Sequence, residues 1–326
     1  MIIDKILKAA APYLKGRTVK DLVIGLALIG IELDNGDIGI SYTLRGHLPP
    51  GCSIFSFAQD IIGKDAMEVA KLAKHGTDDV QRSVGVAVLI AASCGQDLAD
   101  ITTFKSTFGV EVLPTDTVGM IGFIPSAAKM FSEKTENLII FDEAVSGFRE
   151  KMKTVSEFEK EMKDVSEFGK KVKDVSEFEK RMKDVSGFKE EMKTVSEFEK
   201  KVNAVSGFKE EMKAVSECEK EMKDIRSMNE QAELLPKCDI VILTGTTVIN
   251  ETIDNILKIC SNAKAIIMIG PSTPMFPEAF KNTNIKVLAG SWWGNDDKED
   301  LFKLISIAGG IMQINKFMIK KAVPVE

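Results

Sequence analysis

Short loops of glycine, proline and hydroxyl residues follow several apolar runs of this chain, and their residue types are suited to holding a ligand. The loops are Gly122-Phe123-Ile124-Pro125-Ser126, Thr244-Gly245-Thr246-Thr247, Gly270-Pro271-Ser272-Thr273-Pro274 and Gly290-Ser291. Hydroxyl groups and the free N–H groups of helix amino termini both bind anionic groups. If the apolar runs are parallel strands, the loops meet at the carboxyl edge of one sheet, where α/β folds bind ligands. The pattern therefore predicts a pocket for a small anionic ligand.

Each of these features also has a simpler interpretation. Ser or Thr before a helix is a capping residue, and Gly-Pro-Ser-Thr-Pro forms a rigid turn without any ligand. Asp142 ends an apolar run roughly 20 residues after the first glycines, so it either binds a ribose hydroxyl or simply faces water. Trp292 and Trp293 either stack on a ligand or pack in the core. The first loop reads GxxGxxP rather than GxGxxG, which disfavours an NAD-type dinucleotide.

Candidate metal ligands and catalytic groups are few. His47 and Cys52 share the loop "RGHLPPGCSIF", where they either ligate a soft or borderline metal or serve as a structural histidine and a buried thiol. The 5 cysteines are scattered without a CxxC pair, which indicates reduced thiols rather than disulfides or structural zinc. With 2 histidines and neither GxSxG nor HExxH, a hydrolase has no catalytic constellation. The catalytic residues, if there are any, stay unassigned.

The net charge and the hydropathy pattern limit the classes of partner that we expect for this chain. The net charge is −6, and lysine and glutamate alternate over short distances, so no basic patch for nucleic acid is expected. The longest apolar runs, "LVIGLALIGIEL" and "VGVAVLIAAS", are shorter than the ~20 residues that cross a bilayer. The amino terminus lacks a signal-peptide pattern. We expect a cytoplasmic protein that does not bind membranes or nucleic acid.

The amino-terminal third, residues 1–105, is predicted to be a small α+β domain. Two β-rich runs flank "DNGD", and Asn-Gly between such runs is a strong hairpin signal, so a hairpin is expected at about 20–44. "DAMEVAKLAKHG" and "DVQRSVGVAVLIAASCG" have helical spacing, begin with Asp and end with Gly. Strands followed by helices are typical of the α+β class.

From Thr117 onward, strands that are apolar throughout alternate with helical stretches. This pattern predicts an α/β fold, a Rossmann-like parallel sheet covered by helices on both faces. We assign residues 106–144 to its first part and residues 229–326 to its second part. Between the two parts the chain carries a long insertion.

The insertion, residues 145–228, repeats a ten-residue unit close to Val-Ser-Glu-Phe-Glu-Lys-Glu-Met-Lys-Asp. Val155, Phe158 and Met162 begin an apolar stripe with spacings of three, four and three, which is typical of helix. One straight helix of this length would separate its ends by ~120 Å. We therefore predict an antiparallel helical hairpin that turns near Gly187, although capping-box spacings also permit a string of short helices. The hairpin could be a lid, a dimerisation arm, a docking rod or a neutral expansion.

Four stretches, "GFIPSAAKMF", "DIVILTGTTVINETIDNIL", "IMIGPSTPMFPEAF" and "VLAGSWW", resemble the "putative heavy-metal chelation" family of prokaryotic proteins. The resemblance covers the chain apart from the repeat. It implies an enolase amino-terminal-like domain, a Rossmann-like domain and a site in the cleft between them. The family motifs fall on Gly122, Pro125, Thr244, Gly245, Thr246, Thr247, Asn250, Gly270, Pro271, Ser272, Thr273 and Pro274. The double Trp and the repeat depart from the family pattern.

Two functions from different classes are consistent with these observations. The resemblance implies binding or handling of a transition metal ion or a metal chelate in the cleft. The alternative is an enzyme that acts on a small anionic or nucleotide-like substrate at the same loops. A weaker alternative makes the repeat an assembly scaffold, with the chain forming a homo-oligomer through the helical insertion.

Overall fold

The computed structural model describes residues 1–44, 55, 57–100, 107–142, 224–294 and 297–326. The chain forms two compact units, one of Met1–Phe141 together with Asn229–Glu326, and one of Asp142–Met228. Within the second unit, the described residues are Asp142 and residues 224–228, which include one short strand. The predicted helical hairpin and its turn near Gly187 lie outside the described residues, as do His47 and Cys52.

The helices and strands alternate along most of the described chain. The strands are β1 Val19–Ile24, β2 Leu28–Leu33, β3 Ile38–Tyr42, β4 Thr117–Ile121, β5 Asn137–Phe141, β6 Asp224–Arg226, β7 Ile240–Thr244, β8 Ala265–Ile269, β9 Ile285–Trp293 and β10 Met318–Pro324. The helices are α1 Ile2–Leu14, α2 Ala66–Ala70, α3 Leu72–His75, α4 Asp79–Ser93, α5 Pro125–Ser132, α6 Gln231–Leu234, α7 Thr246–Ile249, α8 Ile253–Ile259, α9 Pro277–Phe280, α10 Lys298–Ser306 and α11 Ile311–Ile314.

The amino-terminal part contains the expected hairpin, preceded by a further strand. β2 and β3 pair antiparallel around the "DNGD" turn, and β1 pairs antiparallel with β2. A tight turn at Gly25, whose N–H donates to the Leu28 carbonyl, divides the first apolar run into β1 and β2. The helix signals are also confirmed, because Asp65 caps α2 and Asp78 caps α4 through their side chains. In addition, α1 precedes the strands and buries one apolar face.

Helix α4 lies in the core of the amino-terminal part. All of its residues except Arg82 are buried, as expected for a helix that is apolar on every side. It packs so closely on β3 that a Cβ at Gly39 would lie 1.9 Å from the Ala87 carbonyl oxygen. The close contact removes apolar surface of both elements from water. Burial of apolar surface stabilises the folded state by roughly 25 cal/mol per Å².

The carboxy-terminal strands form the predicted parallel sheet. In the first unit the strand order is β1-β2-β3-β9-β8-β7-β4-β5. The successive pairs from β9 to β5 in this order are all parallel. β8, "AIIMI", is buried along its whole length, as a strand covered on both faces requires. The fold is therefore α/β, with an antiparallel extension formed by β1–β3.

Two antiparallel contacts complete the sheet. β9 is longer than predicted and continues through Trp293, where it pairs with Ile38 of β3. The other edge of β9 pairs with β10, a strand that was not predicted from the sequence. An apolar cluster that includes Leu28, Trp293 and Phe302 joins β2, β9 and α10.

Among the described residues, no helix combines the length and the apolar character needed to cross a membrane.

Candidate functional site

The strand order creates a topological switch point at the carboxyl ends of β4 and β7. β4 leads through α5 to β5 on one side, whereas β7 lies on the other side of β4 and leads on to β8 and β9. The loops that leave two such strands run to opposite faces of the sheet and open a crevice between them, the usual ligand position in open α/β sheets. The predicted loops at Gly122 and at Thr244–Thr247 leave these two strand ends.

Thr244, the last residue of β7, lies between two glycines that directly follow the neighbouring strands β4 and β8. A Cβ at Gly122 would lie 3.1 Å from Thr244 Cγ2, and a Cβ at Gly270 would lie 3.8 Å from Thr244 Oγ1. Gly122 and Gly270 have φ angles of +79° and +119°, which favour glycine. The structure therefore brings three of the predicted loops together at one edge of the sheet.

Thr246 extends this polar surface from the first position of α7. Its hydroxyl donates to Thr244 Oγ1 at 3.2 Å, and Thr247 Oγ1 donates to the Thr244 carbonyl oxygen at 2.9 Å. Thr244 and Thr246 are both partly exposed, whereas Thr247 is buried. Asn250 is exposed, and its Oδ1 accepts hydrogen bonds from the N–H and hydroxyl of Thr252. Thr244 and Thr246 therefore place two partly exposed hydroxyls at the strand end, and the exposed Asn250 is also accessible at the end of this turn.

The loop Gly270–Pro274 is mostly buried, unlike a loop that is open to a ligand. Pro271, Ser272, Thr273 and Pro274 are all buried. A Cβ at Gly245 would lie 2.4 Å from the Ser272 carbonyl carbon and oxygen, so glycine permits the two loops to pack backbone to backbone. The Tyr42 N–H donates to Ser272 Oγ at 2.9 Å, which connects the loop to β3. The Gly270 backbone is the partly exposed portion of this loop.

Gly290 and Ser291 lie inside β9 rather than in a loop after it. Ser291 is buried, and Ser291 Oγ and Thr273 Oγ1 are among the buried side-chain atoms of the described residues that have no hydrogen-bond partner. Trp293 Nε1 belongs to the same group. A buried hydroxyl without a partner costs roughly 1–3 kcal/mol of stability. These atoms do not face solvent and are therefore separate from the partly exposed hydroxyls at the crevice.

Two further predicted residues flank the strand ends. Pro125 is exposed and occupies the first turn of α5, as its missing N–H and fixed φ favour. Ile124, the N-cap residue, makes no side-chain cap, so the first N–H groups of α5 are available to another acceptor. Asp142 follows β5, is half-buried and begins the second unit.

Trp292 and Trp293 both make contacts with other residues of the chain. Trp292 Nε1 donates to Ser93 Oγ of α4 at 3.0 Å, and the Lys321 ammonium lies 4.9 Å from the centre of the Trp292 ring. Trp293 is buried in the apolar cluster with Leu28 and Phe302. The packing interpretation of both residues therefore agrees with the structure better than the stacking one.

The donor groups of the described residues do not fit a heavy-metal ion bound directly by side chains. In the described ranges no group of three or more His, Cys, Asp or Glu side chains is placed to hold an ion. Burial, reinforced by Asp239, raises the pKa of Cys238 to about 11, and burial, reinforced by Cys238, raises the pKa of Cys260 to about 12. Both thiols therefore stay protonated at neutral pH, whereas soft metals bind thiolates. The hydroxyls at the crevice are hydrogen-bonding groups rather than soft-metal ligands.

Contacts from the amino-terminal part hold several of these loops, and they could not be predicted from the sequence. Besides the bond from Tyr42 to Ser272, Gln96 Nε2 donates to the Met275 carbonyl at 2.6 Å, and Arg82 Nε donates to the Ile249 carbonyl at 2.8 Å. The partners in these two bonds are 179 and 167 residues apart in the chain. No local pattern encodes such pairs.

Family models and known structures identify similar proteins. Two models, both described as "Putative heavy-metal chelation", match residues 7–93 and 190–324 and together cover about two thirds of the chain. An uncharacterised protein of Methanocaldococcus jannaschii is 39% identical over 64 residues, which is 20% of this chain and 25% of that protein. The chain thus spans only about a quarter of the length of that curated relative.

Two crystal structures of proteins with unknown function share the fold. One, from Pyrococcus horikoshii, has a TM-score of 0.61 at 17% identity and covers 100% of both chains. The other, from Desulfitobacterium hafniense, has a TM-score of 0.59 at 16% identity over 98% of this chain and 99% of its own. Both belong to the family of the model that matches residues 190–324.

Proposed function

Because the chain belongs to the family described as "Putative heavy-metal chelation", we propose that it binds a metal in chelated form, as a small anionic organic molecule that carries the ion. The proposed site is the crevice at the carboxyl ends of β4 and β7, in a cleft between the amino-terminal α+β domain and the Rossmann-like domain. The observation that carries the proposal is the topological switch point between β4 and β7.

The chemistry of the crevice supports an organic ligand. Gly122 and Gly270 leave backbone groups accessible on both sides of Thr244, and Thr244 and Thr246 supply two partly exposed hydroxyls. Hydroxyl and backbone N–H groups are donors for carboxylate or phosphate oxygens. An organic chelator presents such oxygens on its outer surface, so these donors would hold the chelator while the chelator holds the ion.

The donor set also separates this proposal from direct coordination of the ion. The thiols of Cys238 and Cys260 are buried and protonated, and burial also raises the pKa of the half-buried Cys94 thiol. In the described part of the chain, no three carboxylates are placed to hold an ion. A chelate needs neither, because its organic part supplies the ligands of the metal. His47 and Cys52 remain the predicted direct ligands, and they lie outside the described residues.

The amino-terminal part contributes contacts that would close the cleft beside the loops. Tyr42 of β3 holds Ser272, Gln96 holds the Met275 carbonyl, and Arg82 of α4 holds the end of α7. These hydrogen bonds fix the loops after β7 and β8 before any ligand binds. A preorganised site loses less conformational entropy on binding.

The test is to measure what co-purifies with the untagged protein when no chelator is used. Elemental analysis and native mass spectrometry of the wild-type chain are expected to detect a metal together with an organic molecule of defined mass. The double variant Thr244→Val, Thr246→Ala is expected to lose both, because the two hydroxyls that hold the organic part are gone.

Thr283→Ala is the matched control. Thr283 Oγ1 donates to the Phe280 carbonyl before β9, at the opposite edge of the sheet, so this variant is expected to keep the ligand. A metal without an organic molecule, retained by the double variant and lost from His47→Ala or Cys52→Ala, would replace the proposal with direct coordination. An organic molecule without metal that the protein converts to a product would favour the enzyme alternative.

A further inference from the structure

Arg82 is a polar residue in an otherwise buried helix. It lies in the first turn of α4, where the other residues of the helix are buried, and its own side chain is 14% exposed. Its guanidinium has partners on several sides. Nη1 donates to the Gly76 carbonyl at 3.0 Å, and Nη2 lies 2.5 Å from Asp79 Oδ1. These two contacts fix the guanidinium relative to α4 and to the end of α3.

The remaining contacts of Arg82 reach the threonine turn at the proposed crevice. Nε donates to the carbonyl of Ile249, the last residue of α7, at 2.8 Å. Nη1 also lies 3.5 Å from Oε2 of Glu251. Glu251 has a φ of +61°, a left-handed conformation that a non-glycine residue adopts at a cost in energy. Arg82 therefore contacts the chain at the end of α7 and again where the backbone reverses.

Helix α7 depends on such external contacts. It has four residues, about one turn, and so short a helix is not stable by itself in water. At its beginning, the Thr247 hydroxyl donates to the Thr244 carbonyl. At its end, Arg82 satisfies a carbonyl that has no partner inside the helix. Thr246 stands at the first position of α7, between these two attachment points.

We infer that Arg82 is a positioning residue of the proposed site, which holds α7 so that the Thr246 hydroxyl stays beside Thr244 at the crevice. This inference rests on the proposed function for its ligand and on the contacts above for its geometry. Arg82 does not touch the ligand in this scheme, because its donors are occupied by Gly76, Asp79, Ile249 and Glu251.

Lysine cannot replace arginine in this role. The planar guanidinium donates in several directions at once, whereas an ammonium group is a compact charge on a flexible stem. Arg82→Lys keeps the charge next to Asp79 and Glu251 but cannot also donate to the Gly76 and Ile249 carbonyls in the observed geometry. It therefore separates the loss of positioning from the loss of charge.

The experiment is hydrogen exchange by mass spectrometry on the full chain, in the wild type, Arg82→Lys and Arg82→Gln. The amides of Asn250 and Thr252 donate to the carbonyls of Thr246 and Thr247 and report the order of the turn. We expect roughly tenfold faster exchange in residues 246–252, with β4 and β8 unchanged, because the turn opens locally. The amount of co-purified ligand is expected to fall in the same variants.

Arg17→Gln is the matched control, because Arg17 forms an ion pair with Asp34 at 3.8 Å in which both side chains are exposed. It should leave exchange at 246–252 and ligand content unchanged. Unchanged exchange at 246–252 in both Arg82 variants would overturn the inference. A uniform rise in the exchange rate over all peptides would also overturn it. Faster exchange at residues 246–252 with full ligand content would overturn it as well. If Arg82→Gln does not fold, Arg82→Lys alone decides.

The two proposals fail in different ways. If the Thr244→Val, Thr246→Ala double variant keeps its ligand, the crevice is not the binding site, and Arg82 then positions no ligand-binding group even where the exchange result holds. If the double variant loses the ligand while Arg82→Lys retains it in full, the site stands and the role of Arg82 is wrong.

Discussion

At the scale of single residues, Thr273 and Ser291 test what buried hydroxyls without a partner contribute to stability. Both hydroxyls are buried without a hydrogen-bond partner. Thr273→Val keeps the shape of the side chain and removes a polar atom that makes no bond. We therefore expect the free energy of unfolding to stay the same or rise by about 1 kcal/mol, measured by urea denaturation.

Thr135→Val is the comparison for this prediction. Thr135 is also buried, but its hydroxyl donates to the Asp116 carbonyl at 2.7 Å and accepts from the Asn137 N–H at 3.1 Å. Its loss is expected to cost about 1–3 kcal/mol, because buried polar groups are left without a partner. A comparable loss for Thr273→Val would mean that the Thr273 hydroxyl has a partner in solution, such as an internal water or a ligand.

The sequence predicted which loops follow strands better than it predicted which of their residues are exposed. The loops at Gly122 and Thr244 stand at strand ends, as the pattern of apolar runs and hydroxyl residues indicated. Ser272 and Thr273 are equally polar in sequence, yet they are fully buried because Gly245 allows the two loops to pack in backbone contact. Exposure depends on which distant residue covers a loop, and composition does not encode that.

At the scale of secondary-structure elements, the contact between α4 and β3 depends on Gly39. A side chain at this position would meet the backbone of α4, with Ala87 O at 1.9 Å and Ala91 N at 2.5 Å. Gly39→Ala is therefore expected to lower the free energy of unfolding by about 1–3 kcal/mol or more, since the helix must move away from the strand. The midpoint of denaturant unfolding measures this change.

Gly294→Ala is the control for this prediction, because a Cβ there would meet no heavy atom within 4 Å. It should shift the unfolding midpoint little. If both variants were equally stable, α4 would have to shift without loss of packing, and the close approach of helix and strand would not be a requirement of the fold.

Most elements with strong local signals were predicted, although α1 was not, and β10, which lacks such signals, was also missed. The "DNGD" hairpin, the Asp-capped helices and the apolar strands carry their own turn, cap and periodicity signals. β10 has "MIKKAVP", with two lysines and a proline, and its partner β9 lies some 25 residues earlier. Its pairing depends on an available strand edge rather than on its own composition.

At the scale of the whole molecule, the repeat can be removed to test whether the first unit folds without it. The first unit contains the parallel sheet and the apolar cluster within Met1–Phe141 and Asn229–Glu326. Replacing residues 146–223 with a flexible Gly/Ser linker of roughly ten residues is expected to preserve cooperative thermal unfolding, because the entropy of closing a connection changes only slowly with its length. Circular dichroism measures the transition.

Light scattering on the same variant tests the role of the repeat in assembly. Fewer chains per particle than in the full-length protein, after correction for the shorter chain, would identify the removed segment as an association arm. An unchanged number of chains per particle would leave a neutral expansion or a lid. Loss of the cooperative transition would contradict the prediction, because the first unit would then need the insertion to fold.

The sequence by itself determined the class of the fold, the types of most elements and the chemistry of the loops. These follow from local physics, since side-chain periodicity, caps and turns act over a few residues. Only the tertiary structure decided the strand order, which places the switch point between β4 and β7. It also decided the burial of the Gly270–Pro274 loop and the contact of Arg82 with Ile249. Those outcomes depend on packing between residues far apart in the chain, where many pairings satisfy the same local pattern and only complementary surfaces select one.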